Sequence, residues 1–124
     1  MIPDHFKILI DKLKIKANNK KTVWSKTSRE TEFKLNLQNV AIVVDKWVHE
    51  GVNYVDITIW NDDGIVIDQL RFSEADAEGF LLLSEIYALA SRSYFKVEET
   101  FDIIFKELDG DGVIGLKADD ELPF

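Results

Sequence analysis

The first apolar stripe along the chain has the spacing of a helix. Its members lie three and four residues apart among lysines and aspartates: Phe6, Leu9, Ile10 and Leu13. Such spacing places them on one face, as in an amphipathic helix. Pro3 suits the first turn, because the proline nitrogen has no hydrogen to donate, whereas the polar run at 16–21 does not propagate a helix. The pattern therefore predicts a helix over about residues 3–16.

Further along, every second residue is apolar and the residues between are mostly polar. This alternation is typical of strands with one buried face. The apolar positions of this alternation are Phe33, Leu35, Leu37, Val40, Ile42, Val44, Val55, Ile57 and Ile59. The parity changes after Leu37, which predicts a bulge or tight turn at Gln38 and Asn39.

Two glycine-containing segments separate the later strands. The segment HEGVN at 49–53 is predicted to be a loop, and NDDG at 61–64 is a hairpin turn in which Gly64 is free to take a positive φ. A last strand is expected over about residues 65–72. The middle of the chain is therefore predicted to be an antiparallel meander of three to four strands.

Two helices are predicted after the strands. The segment SEAD at 73–76 has the pattern of a capping box. The apolar stripe after it contains Phe80, Leu82, Leu83, Ile86, Tyr87, Leu89 and Ala90. A break at 91–96 separates it from a second stripe, which contains Val97, Phe101, Ile104, Phe105 and Leu108. Because strands and helices are segregated, the chain is predicted to be α+β, with both C-terminal helices packed on one face of the sheet.

At 124 residues, the length suits a single domain. Its expected parts are a helix and basic segment (1–21), an antiparallel sheet (22–72), a helical pair (73–108) and an acidic C-terminal tail (109–124). The N-terminal stretch contains Asp4 and Asp11 within its apolar pattern, so we expect neither a signal peptide nor a membrane span. The chain has no cysteine. A cytoplasmic location is the expectation.

The net charge of −8 is unevenly distributed. Residues 1–34 contain nine Lys or Arg and four acids, whereas residues 35–124 contain six and nineteen. This split indicates either a basic arm for an external anion or a basic segment that lies on the protein's own acidic body. It also predicts a weak homodimer that high salt weakens, in which the basic segment of one copy meets the acidic body of another.

The segment FKELDGDGVIG resembles the calcium loop of an EF-hand. With Gly112 at loop position 6, Glu107, Asp109 and Asp111 occupy ligand positions 1, 3 and 5. The side chain of Glu107 at position 1 is one methylene longer than the usual aspartate. Ala118 occupies position 12, where an EF-hand loop has a glutamate that binds the metal with both carboxylate oxygens. We therefore reject a metal site and expect a helix C-cap in which Gly110 or Gly112 is left-handed. No cofactor is expected.

Nucleic-acid binding is an alternative function, because the arm from Lys12 to Arg29 combines cations with an aromatic ring. The candidate residues are Lys12, Lys14, Lys16, Lys20, Lys21 and Trp24. Lysines neutralise phosphates and a tryptophan stacks on bases. The acidic remainder of the chain would repel a polyanion, and the hypothesis requires binding to single strands that falls steeply with salt.

Catalytic chemistry finds little support. The histidines are His5 and His49, and no nucleophile, phosphate-loop or zinc motif is present. Asp56 and Asp68 are predicted to lie near one another across the last hairpin, as two acids on the solvent face rather than a catalytic dyad.

A partner-binding surface is the leading expectation. Tyr54 and Trp60 alternate with the apolar residues of their strand, and Trp47 belongs to the strand before it. These aromatics are either an exposed contact surface or, for Trp47 and Trp60, packed under the first helix. We expect a small, acidic, non-enzymatic domain that binds a protein.

Overall fold

The computed structural model describes residues 2–115. Its elements are α1 (Asp4–Asn18), β1 (Ser25–Lys26), β2 (Glu32–Asn36), β3 (Val40–His49), β4 (Val52–Asn61), β5 (Val66–Ser73), α2 (Ala77–Tyr94) and α3 (Val97–Asp109). The strands form one antiparallel sheet in the order β1-β2-β3-β4-β5. The predicted α+β fold is confirmed, because a helix precedes the antiparallel meander and two helices follow it. The sheet has five strands because the short β1 adds an edge.

Two-residue turns join β2 to β3 and β3 to β4. The Leu37 N–H donates to the Val40 carbonyl, and Asn39 has a φ of 66°, so the predicted turn at Gln38 and Asn39 is confirmed. At the next turn Glu50 and Gly51 have φ values of 50° and 77°. Positive φ at both central residues is typical of a type I′ hairpin. The predicted five-residue loop at 49–53 is therefore a two-residue turn, because His49, Val52 and Asn53 belong to the strands.

The hairpin between β4 and β5 forms as predicted. The side chain of Asn61 accepts hydrogen bonds from the backbone N–H groups of Asp63 and Ile65, both at 3.0 Å. Gly64 has a φ of 78°, a conformation that costs glycine little because it has no Cβ. An Asx-type turn closed by glycine thus returns the chain to the sheet.

One face of the sheet and the helices α1 and α2 enclose the core. Across the strands, Leu35 lies opposite Ile42, and Val44 lies opposite Ile57. The helices contribute Phe6, Ile10, Leu13, Leu83, Ile86 and Ala90 to the same cluster. Side chains of this size each stabilise a fold by roughly 1.5–3 kcal/mol on full burial. The alternation seen in the sequence therefore identifies the buried face of the sheet.

The start of α2 differs from the prediction. Its N-cap is Asp76, whose side chain accepts a hydrogen bond from the Gly79 N–H at 3.3 Å. Ser73 still belongs to β5, opposite Tyr54, and its hydroxyl accepts from the Ala75 N–H. The proposed capping box is wrong because the strand continues as far as its first residue.

Replacing Gly79 with alanine is expected to destabilise the protein by about 1–2 kcal/mol. Alanine normally favours a helix over glycine, but a Cβ at Gly79 would lie 2.6 Å from the Phe72 ring. Chemical denaturation would measure the change. The control is Gly112→Ala, where a Cβ meets no described atom within 4 Å. Equal midpoints for the two variants would contradict the close packing of α2 on β5.

The two C-terminal helices pack unequally. The chain turns at Lys96, which has a φ of 52°, and Arg92 of α2 bonds Glu98 of α3 at 2.7 Å. Within Val97–Asp109, all of it in the described range, no residue is buried. The core of the domain is therefore completed by α2, whereas α3 keeps its side chains at the surface.

Candidate functional site

The face of the sheet opposite the core carries the candidate site, and we call it the open sheet face. Its residues on the four longest strands include Glu32, Lys34 and Asn36 of β2, Ala41, Val43, Asp45 and Trp47 of β3, Tyr54, Asp56, Thr58 and Trp60 of β4, and Gln69 and Arg71 of β5. The core residues of the same strands have the opposite parity. Because side chains alternate between the faces of a strand, the aromatic and the charged residues of this list share one surface.

The aromatic residues predicted as a partner surface lie on this face. Trp47 lies opposite Tyr54, and their rings stack at 5.5 Å between centroids with 17° between planes. The guanidinium of Arg71 sits 5.0 Å from the centre of the Trp47 ring. All three predicted aromatics are half-buried. The alternative, that Trp47 and Trp60 pack under the first helix, is wrong because α1 covers the other face.

Trp60 stands apart from the other two aromatics. It lies opposite Ala41 and lines a groove of about 440 Å³ whose floor includes Val43 and whose rim includes Lys34 and Asn36. A groove with an apolar floor and polar edges can receive an apolar side chain and fix its orientation.

Two buried aspartates lie between these features. Asp45 and Asp56 are directly opposite one another and are 4% and 5% exposed. Adjacent like charges destabilise a sheet, but each carboxylate has an arginine. Arg29 Nη2 lies 2.9 Å from Asp45, and Arg71 Nη2 lies 3.1 Å from Asp56. The centre of the open sheet face therefore contains two adjacent ion pairs, and the aromatic rings lie beside them.

The burial of Asp56 changes its acidity. Loss of hydration raises the pKa of this carboxyl from 3.8 to about 6. The hydrogen bond and charge of Arg71 lower the pKa, whereas the charges of Asp45 and Glu32 raise it further. Asp56 therefore changes its protonation state near pH 6.

The predicted proximity of Asp56 and Asp68 is wrong. Asp56 lies opposite Arg71 on the open sheet face, whereas Asp68 lies opposite Ile59, a core-side position. His5 bonds Asp68 at 3.0 Å and lowers the pKa of that carboxyl. The two acids are on different faces, and Asp56 is buried rather than solvent-exposed.

The basic segment is partly engaged by the protein's own acids. Lys14 lies 2.6 Å from Glu85 of α2, and Arg29 bonds Asp45. Trp24 is 5% exposed and belongs to the core, so its predicted role as a stacking platform is contradicted. Of the five candidate lysines, four are exposed: Lys12, Lys16, Lys20 and Lys21. The nucleic-acid alternative therefore keeps the exposed lysines that would neutralise phosphates, but it no longer has an aromatic ring available for stacking on bases.

The EF-hand-like segment begins inside a helix. α3 extends through Asp109, so Glu107 and Asp109 are helical. Gly110 has a φ of −76°, whereas Gly115 has a φ of 100°, so the predicted left-handed cap at Gly110 or Gly112 is wrong. Ala118 lies outside the described residues. Within residues 2–115, no three His, Asp or Glu side chains are grouped as metal ligands, and no helix has the length and apolarity to cross a bilayer.

Comparison of the chain with protein-family models, with curated proteins and with solved structures finds no match.

Three contributors to the site were missed in the sequence: Arg29, Asp45 and Arg71. The parity of β3 places Asp45 on the face of Trp47, and this signal was available. The pairing of Asp45 with Asp56 also requires the register of the hairpin, which the length of its turn determines.

Proposed function

We propose that this chain is a small, non-enzymatic protein-interaction domain that binds a partner protein through the open sheet face. The observation that carries the proposal is the stack of Arg71, Trp47 and Tyr54 on a face that the described helices leave uncovered. Arginine, tryptophan and tyrosine are the residues most enriched among those that dominate binding energy at protein interfaces.

The geometry of the stack supports the proposal because its members are already ordered. The guanidinium of Arg71 is held in place by Asp56, whose carboxylate accepts hydrogen bonds from Nε at 3.3 Å and from Nη2 at 3.1 Å. Trp47 and Tyr54 are fixed by their stacking across two paired strands. Side chains ordered before binding lose less conformational entropy when a partner arrives. The partially exposed rings can therefore act as anchors.

The chemistry of the face indicates what a partner presents to it. An apolar or aromatic side chain suits the groove beside Trp60, and a carboxylate suits Arg71, whose side chain is 51% exposed. The arginine can use its remaining donors, because a guanidinium has five N–H groups in a fixed plane. We therefore propose a partner segment that combines an apolar anchor with an acidic residue.

The non-enzymatic part of the proposal is supported by the state of the two buried carboxylates. Asp45 forms an ion pair with Arg29, Asp56 accepts hydrogen bonds from Arg71, and both carboxylates are almost fully buried, so neither is presented to a substrate. A general base needs to reach the proton that it removes.

The test compares affinity capture by three forms of the immobilised protein. We expect the double variant Trp47→Ser, Tyr54→Ser to lose at least one specific protein that the wild type retains, because the anchors are removed. The matched control is Val48→Ser, an exposed position on the same strand. Calorimetry with the purified protein should then show at least ~10-fold weaker binding to the double variant only.

Circular dichroism would show that all three forms are folded. If folded wild type and double variant capture the same proteins with the same affinity, the open sheet face is not the interface and the proposal fails.

A further inference from the structure

Four ionisable side chains form a straight row across the open sheet face, one on each of the four longest strands. Each lies directly opposite the next in the register of the sheet, in the order Glu32, Asp45, Asp56 and Arg71. Arg29 joins this row from the segment before β2, because its guanidinium lies 2.9 Å from Asp45 and 3.8 Å from Glu32. These five residues, which we call the charged row, combine three carboxyl groups with two guanidinium groups.

The charged row lacks one positive charge when all of its carboxyl groups are ionised. Three carboxylates and two guanidiniums then leave a charge of −1, and the two central carboxyls belong to residues that are only 4% and 5% exposed. An uncompensated charge is costly where little water reaches it. One bound proton makes the row neutral.

One oxygen of the row indicates where such a proton points. Oδ2 of Asp45 faces Arg29, whereas Oδ1 of Asp45 is buried and has no hydrogen-bond partner among the described residues. Both hydrogen bonds of Arg71 reach Oδ2 of Asp56, so Oδ1 of Asp56 is the oxygen left to carry a hydrogen. Opposite residues of an antiparallel pair have Cβ atoms roughly 4.5–5.5 Å apart, which brings two carboxyl groups within reach of one shared hydrogen. A metal ion or a lysine of a partner has almost no surface through which to reach the buried Oδ1 of Asp45.

We propose that the charged row binds one proton, carried by Asp56 and directed at Oδ1 of Asp45, and that this proton controls how strongly Arg71 attracts a carboxylate. The inference rests on the proposed function of the open sheet face and adds a means of regulating it. With the proton bound, the guanidinium of Arg71, whose side chain is 51% exposed, keeps its charge available to a partner. When the proton leaves to solvent, the carboxylate of Asp56 offsets that charge and repels an incoming acid.

The surroundings of Asp56 set the pH at which the proton leaves. Burial raises the pKa of its carboxyl from 3.8 to about 6, Arg71 lowers that pKa, and the charges of Asp45 and Glu32 in the same row raise it. The proton is therefore held below about pH 6 and released above it. The attraction of a carboxylate to Arg71 should rise as the pH falls through 6.

Other titratable and charged groups adjoin the charged row. Lys34 of β2 is half-buried and lies opposite an apolar residue of β3. Tyr87 of α2 donates a hydrogen bond to the carbonyl of Thr31 at 2.8 Å, and burial together with the charge of Asp45 raises its pKa, so the phenol stays neutral in this range. His49 lies on the same side of β3 as Asp45 and is exposed, and a histidine also changes its charge between about pH 5 and 8. The test therefore removes His49.

NMR of the full chain carrying His49→Gln tests the proton, by following the carboxyl carbon of Asp56 and the Nε–H of Arg71 from about pH 4 to pH 8. Both signals should share a midpoint near pH 6. Asp45→Asn removes a neighbouring negative charge and should lower that midpoint by roughly half a pH unit or more. Glu32→Gln should lower it by a smaller amount, because Glu32 lies one strand further away.

The matched control is Asp63→Asn, which removes an exposed carboxylate in the hairpin between β4 and β5. It makes the same chemical change as Asp45→Asn outside the charged row, so the midpoint of Asp56 should stay where it is. Glu32→Gln alters a more exposed member of the row, and it decides the outcome if Asp45→Asn does not fold.

Acetate is the carboxylate probe for Arg71, added against chloride at equal ionic strength and followed by the Nε–H signal. In the His49→Gln protein, acetate should bind Arg71 about 3- to 10-fold more tightly at pH 5.5 than at pH 7.5, because one nearby negative charge is absent at the lower pH. Asp56→Asn has no proton to lose at this position, so its acetate affinity should be the same at both pH values.

Three results would overturn the inference: a midpoint of Asp56 below about pH 4.5, a midpoint that neither Asp45→Asn nor Glu32→Gln lowers relative to Asp63→Asn, or an acetate affinity in the His49→Gln protein that does not change with pH. None of these measurements uses the partner protein. A negative result here therefore leaves the capture experiment untouched, and a failed capture leaves the titration of the charged row untouched.

Discussion

Replacing Leu83 with alanine is expected to destabilise the domain by about 2–5 kcal/mol. Leu83 is 1% exposed and belongs to the core cluster between α2 and the sheet. The change removes buried apolar contacts and leaves a cavity that the surrounding strands only partly fill. Urea denaturation at several protein concentrations would give the free energy of unfolding for the wild type and the variant.

The control for this measurement is Leu81→Ala, the same substitution in the same helix. Leu81 is 63% exposed, so its loss should change the free energy of unfolding by less than about 0.5 kcal/mol. A Leu83→Ala midpoint equal to that of Leu81→Ala would mean that α2 presents a different face to the sheet.

Replacing Asp56 with asparagine is expected to stabilise the folded state by about 2–3 kcal/mol at pH 8. The folded state raises the pKa of Asp56 from 3.8 to about 6, so it binds the proton more tightly than the unfolded chain does. The stability contributed by the neutral form is fully present below about pH 4 and is lost as the pH rises through 6. Asparagine has the same shape and does not ionise, so this loss disappears.

Denaturation of both proteins from pH 4 to pH 8 would measure the difference. The two free energies should be similar near pH 4 and separate progressively up to about pH 7. Asp62→Asn, an exposed change in the hairpin, corrects for the altered net charge. A constant difference across this range would contradict the raised pKa of Asp56.

The parts of the fold that the sequence predicted are those specified by local pattern. The alternation of Val55, Ile57 and Ile59 follows directly from one buried face, and the turn at NDDG follows from side-chain bonds within a few residues. Leu83 was identified because helical periodicity fixes which side of α2 meets the core. Each of these signals lies within one element, so no knowledge of its neighbours is needed.

The parts that were missed depend on contacts between distant segments. Trp24 lies in a stretch without clear periodicity, and its burial comes from a core cluster whose other members are mostly distant in sequence. The pairing of Asp45 with Asp56 depends on a two-residue turn where a longer loop was predicted, and a change in turn length shifts every partner across the hairpin. The position of α3 was equally hidden, because its amphipathic pattern predicts burial against something without identifying what covers it.

The structure explains part of the charge difference between the basic residues 1–34 and the acidic remainder of the chain. Lys14 and Arg29 of the basic segment bond Glu85 and Asp45 of the acidic body. Some of the N-terminal charge therefore serves the fold itself.

The most direct test of the open sheet face uses the side-chain indole N–H signals of the three tryptophans, followed by NMR as the partner recovered by capture is added. Trp47 and Trp60 lie on the proposed interface, whereas Trp24 lies in the core and serves as an internal reference. Binding through the open sheet face predicts shifts or broadening of the Trp47 and Trp60 signals while the Trp24 signal stays in place. A saturating partner that leaves Trp47 and Trp60 unchanged would contradict the proposed function.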